Sequence, residues 1–270
     1  VDGGEQQVKV NGNGTTPRRF ADDGRLECSL VELTAAGRGH VESLGGTSCY
    51  TGGIDAHQAR GWIVRDNTFR GIYCPGGPLA EHAVHFWSGS RDTLVERNVI
   101  VDCARGIGFG LTETGTSREY PDNPAPGLYV GHFGGLIRNN FVAASIAEFD
   151  TGIELDQARG TKVFHNTVFH PTAAFSSLDY RFANTQVEVR NNVLVRVTRR
   201  NDAQGTVADN LLDAKAALFR APATGDLRLV AGAAAAIDRA AALADHGLDI
   251  DGKAHSVGPP DLGAHEYGAQ

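Results

Sequence analysis

Six asparagines organise this chain: Asn67, Asn98, Asn140, Asn166, Asn192 and Asn210. They end the runs WIVRDN (62–67), TLVERN (93–98), LIRNN (136–140), KVFHN (162–166), VEVRNN (187–192) and TVADN (206–210), at spacings of 31, 42, 26, 26 and 18 residues. Self-similarity at such a period marks stacked repeats. One unit of short Val-, Ile- and Leu-rich strands buries too little by itself, but enough once the next unit stacks on it. An Asn at a sharp bend tolerates the left-handed conformation, and its amide can bond to the Asn one coil away. Used only as a turn residue, Asn has no reason to keep one register over six bends.

The 270 residues allow one or two domains, and a quasi-one-dimensional stack favours one. Thirty-four Gly and 7% aromatics suit narrow coils with tight turns, and argue against a helical bundle. The absence of Met, even at Val1, reads as a processed or trimmed chain. No stretch approaches the ~20 apolar residues of a membrane span, and no signal-peptide pattern is present. A net charge of −7 argues against wide nucleic-acid contact. An acidic polymer would need a local basic cluster or a bridging cation. Cys28, Cys49, Cys74 and Cys103 form no C-x-x-C pair. Two disulfides, most simply Cys28–Cys49 and Cys74–Cys103, would fit an oxidising compartment; four free thiols is the alternative.

Along the chain, AAGRGHVESLGGTSCY reads as a loop, and regular coils begin at GGIDAHQARGWIVRDNTF. Residues 112–134, with three prolines and no periodicity, read as a long surface loop, a kind that is usually functional or disordered. From residue 226 the composition changes. LVAGAAAAIDRAAALADHG predicts a helix ended by Gly247, followed by a polar tail. A stack of strands leaves an open apolar end, so 1–225 reads as the stacked domain and 226–270 as its cover, not a second domain.

Over residues ~50–212 the Asn register and the recurring GI-x-L…V-x-x-N-N/T coil resemble the right-handed parallel β-helix proteins of the pectate-lyase-like superfamily. The ending DIDGKAHSVGPPDLGAHEYG is similar to that of secreted bacterial members. The resemblance implies an all-β right-handed parallel β-helix with a C-terminal helix and tail as cap, in a secreted, cell-surface or periplasmic protein. TGIELDQARGTKVFHNT followed by SSLDYRFANTQVEVRNN resembles the chondroitinase-B and alginate-type polysaccharide lyases. By that resemblance Glu154 and Asp156 are calcium ligands and Arg181 the catalytic arginine. The lyases' catalytic Lys has no counterpart here; Gln157 and Arg159 stand nearby. Tyr50 with Asp55-Ala-His57 resembles the Y…D-P-H of alginate epimerases, without its Pro and with a different Tyr spacing.

Strand periodicity makes an independent argument. Alternation turns Ile54/Ala56, Val84/Phe86, Ile107/Phe109, Ile153/Leu155 and Leu178/Tyr180 inward. It turns Asp55/His57, His85/Trp87, Gly108/Gly110, Glu154/Asp156 and Asp179/Arg181 toward solvent. At ~4.8 Å per strand, these five rungs predict a strip roughly 20 Å long, about the length of a few sugar rings. Gly108 and Gly110 leave a trough between a His/Trp wall and an acidic/Arg wall, and Trp87 offers a face for stacking on sugar. His85, then His57, are the candidate bases. Glu81 and His82 would complete a zinc set with His85. Glu154, Asp156 and Asp179 are oxygen donors, suited to Ca²⁺.

These residues point to a lyase acting on an acidic, uronate-containing polysaccharide, with Asp55, Trp87, Gly108, Gly110 and Asp179 lining the substrate groove. A glycoside hydrolase using two of Asp55, Glu154, Asp156 and Asp179 is one alternative. A non-catalytic glycan-binding or cell-surface module is the other.

Overall fold

The computed structural model describes residues 5–13, 17–43, 49–171, 173–254 and 258–268. It is an all-β chain with three long parallel sheets and one α-helix, consistent with a parallel β-helix. The first sheet stacks Gln6–Val10, Gly52–His57, His82–Trp87, Arg105–Phe109, Thr151–Asp156, Ser176–Arg181 and Val197–Arg200 in chain order. Between one of these strands and the next, the chain visits the second sheet and then the third. Gly52–His57, for example, is followed by Ile63–Arg65 and Thr68–Arg70. Parallel strands need such crossovers, and here each crossover supplies strands to the other two sheets.

The inward columns form as alternation requires. Ile54, Val84, Ile107, Ile153 and Leu178 are fully buried, as are Phe86 and Phe109. Burial on this scale contributes roughly 1.5–3 kcal/mol for each large side chain. The asparagines form a continuous ladder. Asn67 Nδ2 donates to Asn98 Oδ1 at 3.0 Å, Asn98 to Asn140 at 3.0 Å and Asn140 to Asn166 at 2.9 Å. Asn166 donates to Asn192 at 3.0 Å, and Asn192 to Asn210 at 2.8 Å. The left-handed bend falls one residue earlier than expected, on Asp66, Arg97, Asn139, His165, Asn191 and Asp209. That residue turns the backbone, which frees the ladder Asn to aim its amide inward.

Three expectations need correction. The Ala-rich 229–247 segment is not a helix: Leu229 ends a strand and the rest forms turns and irregular chain. Asp238 takes φ 57°, its N–H binds Asp261 Oδ1, and the Ala240 N–H binds the Pro260 carbonyl, so the backbone bonds a helix needs are spent elsewhere. The segment lies along the flank of the stack, where Ala233, Ala236, Ala240 and Leu262 pack on Phe141, Phe169 and Val193. The helix is instead Ala35–Ser43, in the stretch read as a loop; Thr34 caps it through Oγ1 to the Gly37 N–H at 3.2 Å. The disulfide joins Cys49 to Cys74, while Cys28 and Cys103 are free. Cys49 and Cys74 each sit shortly before a first-sheet strand of successive coils, and stacking brings their Cα atoms to 6.0 Å.

The 112–134 loop is folded. Tyr120, Ala125, Val130 and Phe133 form a small core of their own. Arg118 grips Asp22 with both terminal nitrogens at 2.6 and 2.8 Å, and Tyr120 Oη donates to the Gly89 carbonyl at 2.7 Å. The Arg118 N–H donates to the Ser88 carbonyl at 3.0 Å and Asn184 Nδ2 to the Tyr129 carbonyl at 2.7 Å, which holds it along one border of the first sheet.

Candidate functional site

Parallel registry assembles the charged row on one face. Asp55 pairs with His85, His85 with Gly108, Gly108 with Glu154 and Glu154 with Asp179; on the neighbouring column His57 pairs with Trp87 and Asp156 with Arg181. The row is not an open, solvated strip. Asp55 is 4% exposed, His85 1%, Asp179 1% and Asp156 0%. Only His57, Trp87 and Arg181 among the non-glycine members keep partial access to water. Groups of opposite charge on adjacent rungs pair with one another, and further side chains close over them.

Those covering groups come from an irregularity in the strands. The ladder pairs Arg105 with His82 and Ile107 with Val84, passing over Gly106 and Ala83. Gly53, Ala83, Gly106, Gly152 and Ser177 thus form a column of small residues one place before the buried Ile, Val or Leu. A Cβ on Gly106 would lie 2.2 Å from the Gly152 carbonyl, and one on Gly53 2.1 Å from that of Ala83. Alternation breaks at this column, so His82 and Arg105 join the face of His85 and Glu154 instead of the core. His82 also fills the expected glycine trough: a Cβ on Gly108 would meet its imidazole at 2.7 Å. Gly110 is needed for its φ of 78° and for the Asp156 carbonyl, which a Cβ would approach to 1.7 Å.

Three groups of side chains result. At one end Lys9, from Gln6–Val10, forms an ion pair with Asp55; its Nζ stands 3.0 Å from His57 Nε2 and donates to Tyr50 Oη at 3.3 Å. Trp87 Nε1 donates to Asp55 Oδ1 at 2.8 Å, and His57 packs on the Trp87 ring at 4.3 Å. Burial opposes the Asp55 charge, but bonds and charge from His57, His85 and Lys9 outweigh it and hold the carboxyl well below its usual range. Burial likewise opposes the Lys9 charge, and Asp55 overcomes it, so the ammonium pKa rises.

In the middle, the His82 and His85 rings lie 4.5 Å apart. His82 Nε2 meets Glu154 Oε2 at 3.0 Å, and His85 Nε2 meets the Gly110 carbonyl at 2.9 Å. Arg105 Nη2 donates to Glu81 Oε2 at 3.3 Å. Desolvation lowers both histidine pKa values, that of His85 to about 3, which leaves the His85 ring neutral at pH 7.

At the far end Arg181 Nη2 bonds both Glu154 and Asp156, and Arg200 grips Asp179 through Nη2 at 2.7 Å and Nε at 3.1 Å. Asp156 Oδ1 has no partner among the described residues. Desolvation and the neighbouring Glu154 charge push Asp156 up, whereas His82, Arg105 and Arg181 overcome burial at Glu154 and push it down. The pair therefore holds one proton near neutrality.

Two clefts open at the ends of the row. One, of about 290 Å³, is lined by Arg105, Arg181, Arg200, Glu154, Leu79 and Phe175. The other, of about 590 Å³, has His57, Gln58, Arg18, Arg19 and Phe20 in its walls. Lys9, Arg105 and Arg200 are absent from the sequence-derived set. The small-residue column was a legible sign for Arg105, but nothing local marks Lys9, which arrives from 46 positions away. Clusters able to hold a metal ion among the described residues are Glu81/His82/His85, Glu154/Asp156/Asp179 and Asp249/Asp251/His265. No helix there is long and apolar enough to cross a membrane. No protein-family model matches the chain, and no curated protein is significantly similar to it.

Proposed function

We propose that this chain is a secreted or cell-surface right-handed parallel β-helix of the pectate-lyase-like kind, acting on a uronate-containing polysaccharide by β-elimination. The observation that carries this reading is the convergence of Lys9 and His57 on the buried Asp55, with Tyr50 Oη on the Lys9 ammonium. Elimination requires the uronate carboxylate to be neutralised, the adjacent proton to be removed and the leaving oxygen to be protonated. Lys9 supplies the positive charge, His57 the base and Tyr50 the acid. Asp55 keeps Lys9 charged and positions it. His85 is buried against Gly110, so in this reading it supports Asp55 from behind and the base is His57.

The arginine cleft lies about three strand spacings away, roughly 14 Å, which places it at another sugar of the same chain. Arg105, Arg181 and Arg200 there suit a second carboxylate. The resemblance implies Ca²⁺, and the donor set fits: Glu154, Asp156 and Asp179 bring oxygen ligands within 4.8 Å of one another, and Asp156 Oδ1 lacks a partner. A Ca²⁺ there would add positive charge toward a substrate carboxylate. The chain's own part is Arg181, which bonds both Glu154 and Asp156. Burial of Glu154 and Asp156 disfavours the hydrolase alternative, because a general acid must reach the glycosidic oxygen.

Alginate, polygalacturonate and a glycosaminoglycan are the substrates to test, read by unsaturated-uronate absorbance. His57→Ala and Tyr50→Phe should each lower kcat by about 10²-fold or more. Arg181→Ala should act mainly on KM. Binding without turnover of any of the three would leave a glycan-binding module and remove the lyase. The same four residues favour one second reading, epimerisation at C5, which shares the proton-abstraction step. It would exchange that hydrogen with solvent deuterium and produce no absorbance.

A further inference from the structure

The middle of the row holds two buried histidines that take no direct part in the proposed chemistry. His82 and His85 are both buried, and each has its Nε2 against an oxygen acceptor: Glu154 for His82, the Gly110 carbonyl for His85. A neutral imidazole that donates from Nε2 carries its lone pair on Nδ1. His82 Nδ1 has no hydrogen-bond partner among the described residues. His85 Nδ1 stands 3.7 Å from Asp55 Oδ1 and 3.9 Å from Glu81 Oε2, beyond hydrogen-bond reach of either carboxylate. Ligand atoms of Glu81, His82 and His85 all lie within 4.8 Å of one another.

We propose that His82 and His85, through Nδ1, together with the Glu81 carboxylate, bind one divalent transition-metal ion with a preference like that of zinc. Two ligands on a tetrahedral ion with bonds of ~2.0–2.1 Å are about 3.4 Å apart, so the present separations need only small side-chain rotations. Two imidazoles and one carboxylate favour zinc-like ions over Ca²⁺, which takes oxygen ligands. The supporting shell is in place as well. A metal-bound histidine usually donates its other ring N–H to a carboxylate or a carbonyl, and both rings here do so. Glu81 follows the segment that begins at the Cys49–Cys74 disulfide, so the ion would fasten that segment to the His82–Trp87 strand. This site is distinct from the oxygen cluster at Glu154, Asp156 and Asp179, and does not depend on what the protein acts on.

The test is a titration of chelator-stripped full-length protein with Co²⁺, read by visible ligand-field absorption, followed by Zn²⁺ competition. Wild type should take up one Co²⁺ in a tetrahedral environment, released by Zn²⁺ and untouched by excess Ca²⁺. Glu81→Gln should weaken binding by at least about tenfold, and His85→Gln should abolish it. Asp251→Asn, in the separate C-terminal cluster, should change nothing. Glu81 is partly exposed, so its variant should fold even where a histidine variant does not. A Zn²⁺-induced rise in Tm for wild type, lost in Glu81→Gln, gives a second readout. Absence of both the Co²⁺ spectrum and the Tm rise in wild type overturns the assignment. So does equal binding by wild type and Glu81→Gln.

Discussion

Replacing Asn140 by Ala removes the centre of the amide ladder, and its effect can be worked from the bonds. Asn140 Oδ1 accepts from the Asn98 N–H at 2.9 Å and from Asn98 Nδ2 at 3.0 Å. Its Nδ2 donates to the Val95 carbonyl, the Arg138 carbonyl and Asn166 Oδ1, each at 2.9 Å. Asn98 Nδ2 keeps the Val64 and Glu96 carbonyls, and Asn166 Oδ1 keeps the residue 140 N–H. The Asn98 N–H loses its acceptor at a position with 0% exposure, where water does not substitute. One buried orphan costs about 1–3 kcal/mol, and the remaining lost bonds add about 1–2 kcal/mol, so Asn140→Ala should destabilise by roughly 2–5 kcal/mol. Asn210, at the open end of the ladder, is only half-buried, so Asn210→Ala should cost about 1 kcal/mol. Equilibrium urea unfolding of the two variants measures the difference. If Asn140→Ala costs no more than Asn210→Ala, the ladder is a by-product of strand stacking and does not hold the coils together.

Gly108→Ala should displace His82 and break its contact with Glu154, costing about 1–3 kcal/mol; Gly39→Ala, exposed in the helix with open space around its Cβ, should stabilise by about 0.5–1 kcal/mol. Thermal melts of the pair check both signs. Asp156 has its folded pKa raised to about 8, so its contribution is fully present below the ordinary value near 3.8 and is lost as pH rises through 8. Asp156→Asn, measured in EDTA, should therefore gain on wild type between pH 5 and 8 by at most about 1.4 kcal/mol per pH unit, and a gap that stays constant would refute the shift. Opening the Cys49–Cys74 bond, which closes a loop of 25 residues, should lower stability by about 3 kcal/mol, whereas Cys28→Ser should leave it unchanged; reduction followed by urea unfolding compares them.

Much of this architecture was present in the order of residues. Strand alternation is a local property with a period of two, so WIVRDN or TGIELD shows which side chains share a face before any coil is placed. Recurrence of Asn at the same point of each run then puts the coils in register. Together these are enough to place Asp55, His85, Glu154 and Asp179 on a single column. Three-dimensional packing decided what the local pattern cannot carry. Lys9 meets Asp55 because the first strand stacks beside the second, and Cys49 finds Cys74 for the same reason. His82 and Arg105 leave the core side because the next coil's backbone crowds the small-residue column. The Ala-rich segment gives up its helical propensity because the flank of the stack offers it apolar partners and other backbone bonds. Charge on a face is readable from period; whether that charge meets water or an opposite charge depends on which distant groups arrive beside it.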